Sequence, residues 1–207
     1  MSHPLTAGTR PTIVGRPVIL VVDIFESDFG DREFSHGIPA MPDNRARMEK
    51  AAAFVRKGRD LGVPIVVVHE VHRPGGIDFG RELDGSEDVH CVEEPGSPHL
   101  PRVGIGMTDD DYVVYKRRYS AFYATDLEIL LKGLGASTLI LVGGLTDVCI
   151  HFTFVDGHQG DYHCRVLEDC VSGSQQAAHD AALASMEYLQ TGSVLSSADM
   201  LEALQDR

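Results

Sequence analysis

The strongest constraint on how this 207-residue chain can fold is a short apolar run that ends in two glycines and a helix start. Residues 138–142 read Thr-Leu-Ile-Leu-Val, which is typical of a strand buried on both faces of a parallel sheet. Two glycines end that strand, and Thr146 and Asp147 are favourable N-cap residues for a helix. The stretch therefore predicts a strand, a tight turn and a helix.

Cys149 falls in the first turn of this predicted helix, at the carboxyl edge of a central strand. Ligands bind at that edge in open α/β sheets. The free N–H groups and the positive dipole end of a helix favour a thiolate over a thiol, so Cys149 is a candidate nucleophile. A buried and unreactive cysteine is the alternative, because that is the commoner fate of a lone cysteine.

Composition and charge limit the classes of protein to which the chain can belong. Its 18 basic residues against 31 acidic residues give a net charge of −13, which argues against nucleic-acid binding. No apolar run reaches the roughly 18 residues of a membrane span, and the N-terminus lacks the apolar core of a signal peptide. The four cysteines form no disulfide framework. These features predict a cytoplasmic protein without nucleic-acid or membrane partners.

Strand and helix patterns alternate along the chain. The predicted strands are 17–22, 65–68, 112–115, 138–142, 162–167 and 192–195, and the predicted helices are 44–61, 126–134, 147–158, 174–190 and 196–204. This alternation predicts the α/β class: a three-layer α/β/α fold with a Rossmann-like parallel sheet of about six strands and helices on both faces. We expect a single domain over residues 1–207, in which residues 1–16 are a loose N-terminal lead-in.

Three predicted strands end in a chemically active side chain, namely Asp23, Lys116 and Cys149. Each alone has an ordinary explanation as a turn or surface residue. The carboxyl ends of parallel strands share one edge of the sheet, so these residues can meet in one pocket. There Asp23 can accept the thiol proton of Cys149, and Lys116 can hold Asp23 ionised.

The sequence around two of these residues resembles a known enzyme family. Lys116 begins a Lys-x3-Ser-Ala-Phe pattern that includes Ser120. Further on, a Gly-x2-Thr-x2-Cys pattern ends at Cys149. Together these motifs resemble the isochorismatase-like cysteine hydrolases, which include nicotinamidases and N-carbamoylsarcosine, biuret, ureidoacrylate and maleamate amidohydrolases. The resemblance covers nearly the whole chain.

The resemblance implies a mechanism and assigns residues to it. Asp23 corresponds to the general base, Lys116 to the family's lysine and Cys149 to the nucleophile, while the Gly144–Leu145 peptide bond corresponds to a cis bond. The backbone N–H groups of Leu145 and Cys149 then form the oxyanion hole. The implied activity is hydrolysis of a small amide or ureido compound through a thioester, without a cofactor, in a homo-oligomer (a dimer or tetramer).

The residues that contact the substrate are harder to assign, because the first loop departs from the family pattern at Phe25. An arginine could bind a substrate carboxylate bidentately, with Arg118 the stronger candidate and Arg73 the weaker, although a surface ion pair explains either residue equally well. The predicted substrate-binding residues are Phe29, His72, Arg73, Arg118 and Tyr123.

Two further questions stay open in the sequence. Glu70-Val71-His72 and His90 resemble the metal ligands of nicotinamidases only in part, so the sequence predicts no metal. The alternatives to an amidohydrolase are a vinyl ether hydrolase of the isochorismatase type and a non-catalytic scaffold or redox-sensing protein. Cys149 argues against the vinyl ether reaction, which in this family does not require a cysteine.

Overall fold

Parallel strands and helices alternate in the computed structural model, which describes residues 11–29, 38–93 and 100–207. The strands are β1 (Arg16–Val22), β2 (Ile65–Glu70), β3 (Tyr112–Lys116), β4 (Ala136–Gly144), β5 (His163–Ser172) and β6 (Val194–Leu195). The helices are α1 (Asn44–Asp60), α2 (Leu127–Leu134), α3 (His151–Gln159), α4 (Gln176–Leu189) and α5 (Ser197–Gln205). These elements confirm the predicted alternation.

The six strands form one parallel sheet in the order β3-β2-β1-β4-β5-β6. The chain first builds outward from β1 to β3 and then returns to the other side of β1 to continue with β4. The carboxyl ends of β1 and β4 therefore flank the point where the strand order reverses, which is where sheets of this kind bind ligands.

Helices cover both faces of the sheet, and each face has its own apolar core. On one face α1 and α5 pack Phe54 and Met200 against side chains of β1, β2 and β4. On the other face α2, α3 and α4 contribute Leu131, Phe154 and Met186 to a second cluster. Burial of the central strands on both faces explains why their sequences are continuous apolar runs.

The structure differs from the sequence prediction at two places near β5. This strand continues to Ser172 instead of ending near residue 167, because its last residues pair with Gly143 and Gly144 after an irregularity in β4. Residues 1–10 of the predicted loose lead-in lie outside the described residues. Residues 11–16 are anchored and not loose, since Val14 N donates to Thr138 Oγ1 at 2.9 Å and Arg165 Nε donates to Thr12 O at 2.8 Å.

The turn after β4 is a π-helical turn, Thr146–Ile150, that leads directly into α3. The helix start was predicted correctly, but the predicted side-chain caps are wrong. Thr146 Oγ1 instead lies 2.9 Å from His179 Nδ1 on α4, and the Asp147 carboxylate accepts hydrogen bonds from the backbone and hydroxyl of Ser174. These side chains fix the turn to the following segments.

Large apolar side chains on α3 and α4 differ in their exposure. Phe154 is fully buried and belongs to the core, whereas Phe152 and Tyr188 are exposed. The homo-oligomer stays a prediction. No helix among the described residues is both long and apolar enough to cross a membrane.

Candidate active site

Four polar side chains meet at the carboxyl edge of the sheet, at the reversal of strand order. Asp23 follows β1, Glu70 ends β2, Lys116 ends β3, and Cys149 lies in the turn after β4. Glu70 and Lys116 are direct register partners on neighbouring strands. Lys116 is fully buried, and Glu70 and Cys149 are almost fully buried. Little solvent therefore reaches these groups.

Lys116 is the centre of this group. Its Nζ lies 2.8 Å from Asp23 Oδ2 and 3.3 Å from Cys149 Sγ, and it also donates to Glu70 Oε2 in a very short contact. The backbone of Asp23 is in the left-handed region, with φ 49°. Its side chain is oriented by the N–H of Glu70, which donates to Asp23 Oδ1 at 2.8 Å. The structure thus brings together the three residues that the sequence predicted as catalytic.

Burial sets the protonation of this group. Burial raises the pKa of Asp23 against the opposing effect of Lys116. It also raises the pKa of Cys149 well above the usual thiol value, again against the opposing charge of Lys116. Burial and the neighbouring carboxylates thus favour the thiol form of the resting Cys149. This direction is opposite to the one that the predicted helix start favours.

Lys116 remains charged in this environment. Burial alone disfavours the ammonium, but the neighbouring Asp23, Cys149 and Glu70 raise the pKa of Lys116 well above its usual value. Glu70 is likewise ionised, because Lys116 and two histidines hold its pKa well below normal despite its burial. A permanent cation thus lies within hydrogen-bond reach of both the base and the nucleophile.

The backbone before Cys149 has the geometry that the resemblance implied. The Gly144–Leu145 peptide bond is cis, as predicted. The carbonyl of Leu145 accepts the N–H groups of Val148 and Ile150, each at 3.1 Å. Position 143 must be glycine, because a Cβ there would come within 1.9 Å of the carbonyl oxygen of Val22 on the adjacent strand.

A narrow cavity opens beside this group, with a volume of about 40 Å³ accessible to water. That is space for only a few water molecules, so the site accepts a small molecule. Asp23, Glu70 and Cys149 line the cavity. The other lining residues are Phe25, Asp28, Ile38, Asn44, Met48, Glu87, His90, Cys91, Tyr119, Gly144, Leu145 and Val148. Most of these are apolar, and the polar ones lie at separate points of the wall.

Comparison with known proteins identifies the family. A model described as the isochorismatase domain matches residues 17–199. The chain belongs to the isochorismatase family. A maleamate amidohydrolase of Pseudomonas putida is 27% identical over 205 residues, which span 96% of this chain and 91% of that enzyme. The resemblance noted in the sequence is thereby confirmed.

Solved structures of the isochorismatase family share the fold. An isochorismatase-like hydrolase from Alkaliphilus metalliredigens superposes with a TM-score of 0.77 at 25% identity, over 91% of this chain and 99% of that one. The pyrazinamidase of Pyrococcus horikoshii, solved in complex with zinc, gives a TM-score of 0.73 at 24% identity, over 88% and 99% of the two chains. The three-layer parallel architecture is therefore that of the family.

This isochorismatase-family chain carries a second polar group next to the one around Lys116. We call it the acid–histidine cluster, and it consists of Glu70, His72, Glu82 and His90. All four side chains are buried, and one potential ligand atom from each lies within 4.8 Å of the others. His90 Nε2 lies 3.0 Å from Glu70 Oε1, and His72 Nε2 lies 3.4 Å from Glu70 Oε1 and 3.1 Å from Glu82 Oε2. Glu70 therefore belongs to both groups.

The acid–histidine cluster fits a divalent metal ion. Four ligands in a tetrahedron around zinc are about 3.3 Å apart, close to the distances found here. His72 Nε2 and both carboxylate oxygens of Glu82 are also buried without a hydrogen bond to any described residue. The prediction of no metal rested on three scattered ligands, and Glu82, which the sequence analysis did not consider, supplies a fourth.

The two predicted arginine clamps lie away from the cavity. Arg118 Nη1 donates to the backbone oxygen of Asp78 at 2.6 Å and lies 4.0 Å from Glu82 Oε1. Arg73 pairs with the Asp78 carboxylate at 2.9 Å, and 60% of its side chain is exposed. Both arginines therefore brace the loop after β2, and neither lines the cavity. Their contact with a substrate carboxylate stays a prediction.

The other three predicted substrate-binding residues also lie outside the cavity wall. Phe29 packs beside Gly104 in the α1-side core, and Tyr123 is exposed on the surface. His72 is buried behind the wall in the acid–histidine cluster. The cavity instead uses Phe25 and Tyr119 as its aromatic lining. The sequence analysis noted Phe25 as a departure from the family pattern, and Tyr119 follows the predicted Arg118. Neither was predicted to bind substrate, because loop conformation decides which side chain turns inward.

Asp28 is a buried acid in the cavity wall, and its ionisation affects stability. Burial raises the pKa of Asp28 to about 7, although its Oδ2 accepts the N–H of Phe25 at 2.7 Å. The folded chain thus binds this proton more tightly than the unfolded chain, where an aspartate has a pKa near 3.9. The free energy of unfolding therefore decreases as the pH rises from about 4 to about 7.

We expect Asp28→Asn to raise the melting temperature at pH 8 and to leave it almost unchanged at pH 4. The free energy of unfolding at pH 8 should increase by at most about 4 kcal/mol, which corresponds to the shift in the pKa of Asp28. Thermal unfolding of both proteins over this pH range measures the difference. Glu49→Gln, which removes an exposed carboxylate from α1, serves as the control. An equal effect of Asp28→Asn at both pH values would contradict the argument.

Proposed function

We propose that this chain is a cysteine-dependent amidohydrolase that cleaves the C–N bond of a small amide or ureido compound through a thioester. The observation that carries the proposal is the position of Lys116 Nζ, 2.8 Å from the carboxylate of Asp23 and 3.3 Å from the sulfur of Cys149. A base, a cation and a nucleophile at one end of a small cavity are the parts that this chemistry needs. The relationship to a maleamate amidohydrolase supports the same reaction class.

In the first half of the reaction Asp23 removes the proton from the thiol of Cys149 as the sulfur attacks the substrate carbonyl. The raised pKa of Cys149 makes this transfer part of the attack, because a free thiolate does not accumulate. The backbone N–H groups of Leu145 and Cys149 stabilise the oxyanion. Protonated Asp23 then gives its proton to the leaving nitrogen, the C–N bond breaks, and ammonia or an amine departs.

In the second half water releases the acid product. Asp23, again ionised, accepts a proton from water as its oxygen attacks the thioester. The carbon–sulfur bond breaks, and the proton returns to the sulfur of Cys149. Lys116 stabilises the negative charge that moves between Asp23 and Cys149 during both halves, since its ammonium contacts both groups.

Glu70 acts through Lys116. Its carboxylate accepts a hydrogen bond from the ammonium, and its own backbone N–H orients Asp23. It is therefore a positioning residue for the base and the cation. The residues that would hold a divalent ion are those of the acid–histidine cluster, and such an ion supplies a Lewis acid beside the cavity when bound.

The test of the proposed function is ammonia release by the purified protein from a panel of small amides. The panel contains nicotinamide, maleamate, biuret, N-carbamoylsarcosine, ureidoacrylate and simple aliphatic amides. We expect turnover of at least one compound, and we expect Cys149→Ala to reduce it to background while the protein stays folded. Cys170→Ala, which removes a buried thiol distant from the site, is the matched control and should retain turnover. Wild-type turnover by Cys149→Ala would refute the proposal.

A further inference from the structure

The residues of the cavity wall indicate which substrates can bind, and the catalytic group alone does not. Asp28 lies in a short 3-10 turn after β1, and Asn44 begins α1. Both line the cavity together with the apolar Phe25, Ile38 and Met48. A substrate whose carbonyl is at Cys149 must place its remaining atoms against this wall or toward Glu87 and Tyr119. The latter pair also lines an adjoining surface groove and so marks the mouth of the cavity.

The charge of this wall is negative. Asp28 and Glu87 add two acidic side chains to the catalytic Asp23 and Glu70. The cations at the site are already engaged, since Lys116 pairs with Asp23 and Glu70, and His90 pairs with Glu70. A carboxylate on the substrate would meet further carboxylates in a buried site, where repulsion between like charges is strong.

No arginine lines the cavity among the residues that the structure describes. Arg117 and Arg118 both point to the Asp78 side of the acid–histidine cluster. Arg81 lines the outer groove, but it pairs with Asp84 at 2.9 Å and 90% of its side chain is exposed. The described wall thus lacks the bidentate cation with which proteins bind a carboxylate.

Asp28 lines this space, and one of its two carboxylate oxygens has only a weak hydrogen bond. Its Oδ2 is used by the N–H of Phe25 at 2.7 Å, whereas Oδ1 has only a long contact of 3.5 Å to Asn44 Nδ2. A well-formed hydrogen bond from an N–H group to a carboxylate is about 2.8 Å. An N–H group of a ligand would therefore complete the hydrogen bonding of Asp28.

We propose that this cavity selects amides whose far end carries an N–H group and no negative charge, and that Asp28 accepts a hydrogen bond from that end. The inference rests on the proposed function and narrows it to neutral or cationic amides and ureas. It replaces the carboxylate-bearing substrate that the sequence left open. Asp28 is then a specificity-determining residue, while Cys149 and Asp23 carry out the reaction.

The experiment compares two pairs of compounds that differ only at the far end: maleamide with maleamate, and succinamide with succinamate. At pH 8 we expect the wild-type kcat/KM to be at least 30-fold higher for each diamide than for its acid. Asp28→Asn should reduce this ratio at least fivefold, because Asn can still accept the Phe25 N–H but has no charge to repel the acid. Glu49→Gln, which removes one exposed charge from α1, should leave the ratio unchanged.

Binding to the inactive Cys149→Ala protein, measured by calorimetry, repeats the comparison without turnover. Tighter binding of the diamides, weakened by Asp28→Asn, supports the proposal even if neither pair is hydrolysed. Equal or tighter binding of the acids, an unchanged ratio in Asp28→Asn, or no binding of either diamide at millimolar concentration overturns it. The ammonia panel judges the proposed function separately, because its result with other amides does not depend on this selectivity.

Discussion

Lys116→Met is expected to reduce kcat/KM by about 10⁴-fold or more and to lower the free energy of unfolding by about 3–5 kcal/mol. Lys116 is fully buried and pairs with both Asp23 and Glu70. Methionine fills a similar volume but leaves two carboxylates close together without a cation. Removing one partner of a buried ion pair is costly for this reason.

The catalytic loss has a different origin from the loss of stability. Without the ammonium, the pKa of Asp23 rises further, because the one charge that lowers it is gone while Glu70 still raises it. A protonated Asp23 cannot accept the thiol proton. The activity should therefore decrease most at low pH and recover only in part as the pH rises.

The two effects can be separated by a second variant. Lys116→Met combined with Glu70→Gln removes one of the two unpaired carboxylates, so we expect much of the lost stability to return while the activity stays low. Chemical denaturation gives the free energies, and ammonia release gives kcat/KM. Lys132→Met, which breaks an exposed pair with Glu128, is the control and should leave the free energy of unfolding almost unchanged. Near wild-type activity in Lys116→Met would rule out the assigned role.

The rule that predicted Asp23, Lys116 and Cys149 from the sequence was positional. Buried strands read clearly as apolar runs, and in a parallel sheet the residue after each run lies on a common edge. Glu70 obeys the same rule, since it ends β2 and pairs in register with Lys116. It was considered only as an incomplete metal ligand, although the positional argument already placed it in the catalytic group.

The substrate-binding residues could not be predicted in the same way. Phe29, Arg118 and Tyr123 lie in loops and turns, where no period fixes the direction of a side chain. The outcome there depends on long-range contacts such as the packing of Phe29 on Gly104 and the bond of Arg118 to Asp78. Proximity in sequence to a catalytic residue is therefore weak evidence for contact with substrate.

The thiolate expected at Cys149 illustrates a competition that the sequence does not show. A helix start and a neighbouring lysine both favour the charged form. Complete burial opposes it, and Asp23 and Glu70 add negative charge at short range. The balance depends on solvent access and on the number of carboxylates, which only the assembled site defines.

Zinc chloride added to the protein after treatment with a chelator is expected to raise its melting temperature by about 8–16 °C. At a concentration of 1,000 times the dissociation constant, a ligand that binds only the folded state contributes about 4.1 kcal/mol. A chain of this size gains about 2–4 °C for each kcal/mol. The four buried ligands of the acid–histidine cluster are preorganised, so little ordering opposes binding.

Glu82 is the residue that makes this expectation specific. Its buried carboxylate lies 3.1 Å from His72 Nε2, so Glu82→Gln removes one partner of a buried pair and should lower the melting temperature without zinc. The zinc shift of each protein is therefore measured from its own zinc-free value. The same substitution removes an anionic ligand. It should therefore raise severalfold the zinc concentration that is needed for a given thermal shift. Glu49→Gln, on the exposed side of α1, controls for the loss of one negative charge. Direct metal analysis of the untagged protein gives an independent count. If wild type and Glu82→Gln respond equally, or if neither responds, the two histidines are held by Glu70 and Glu82 as ion pairs, and the cluster serves to orient Glu70 toward Lys116.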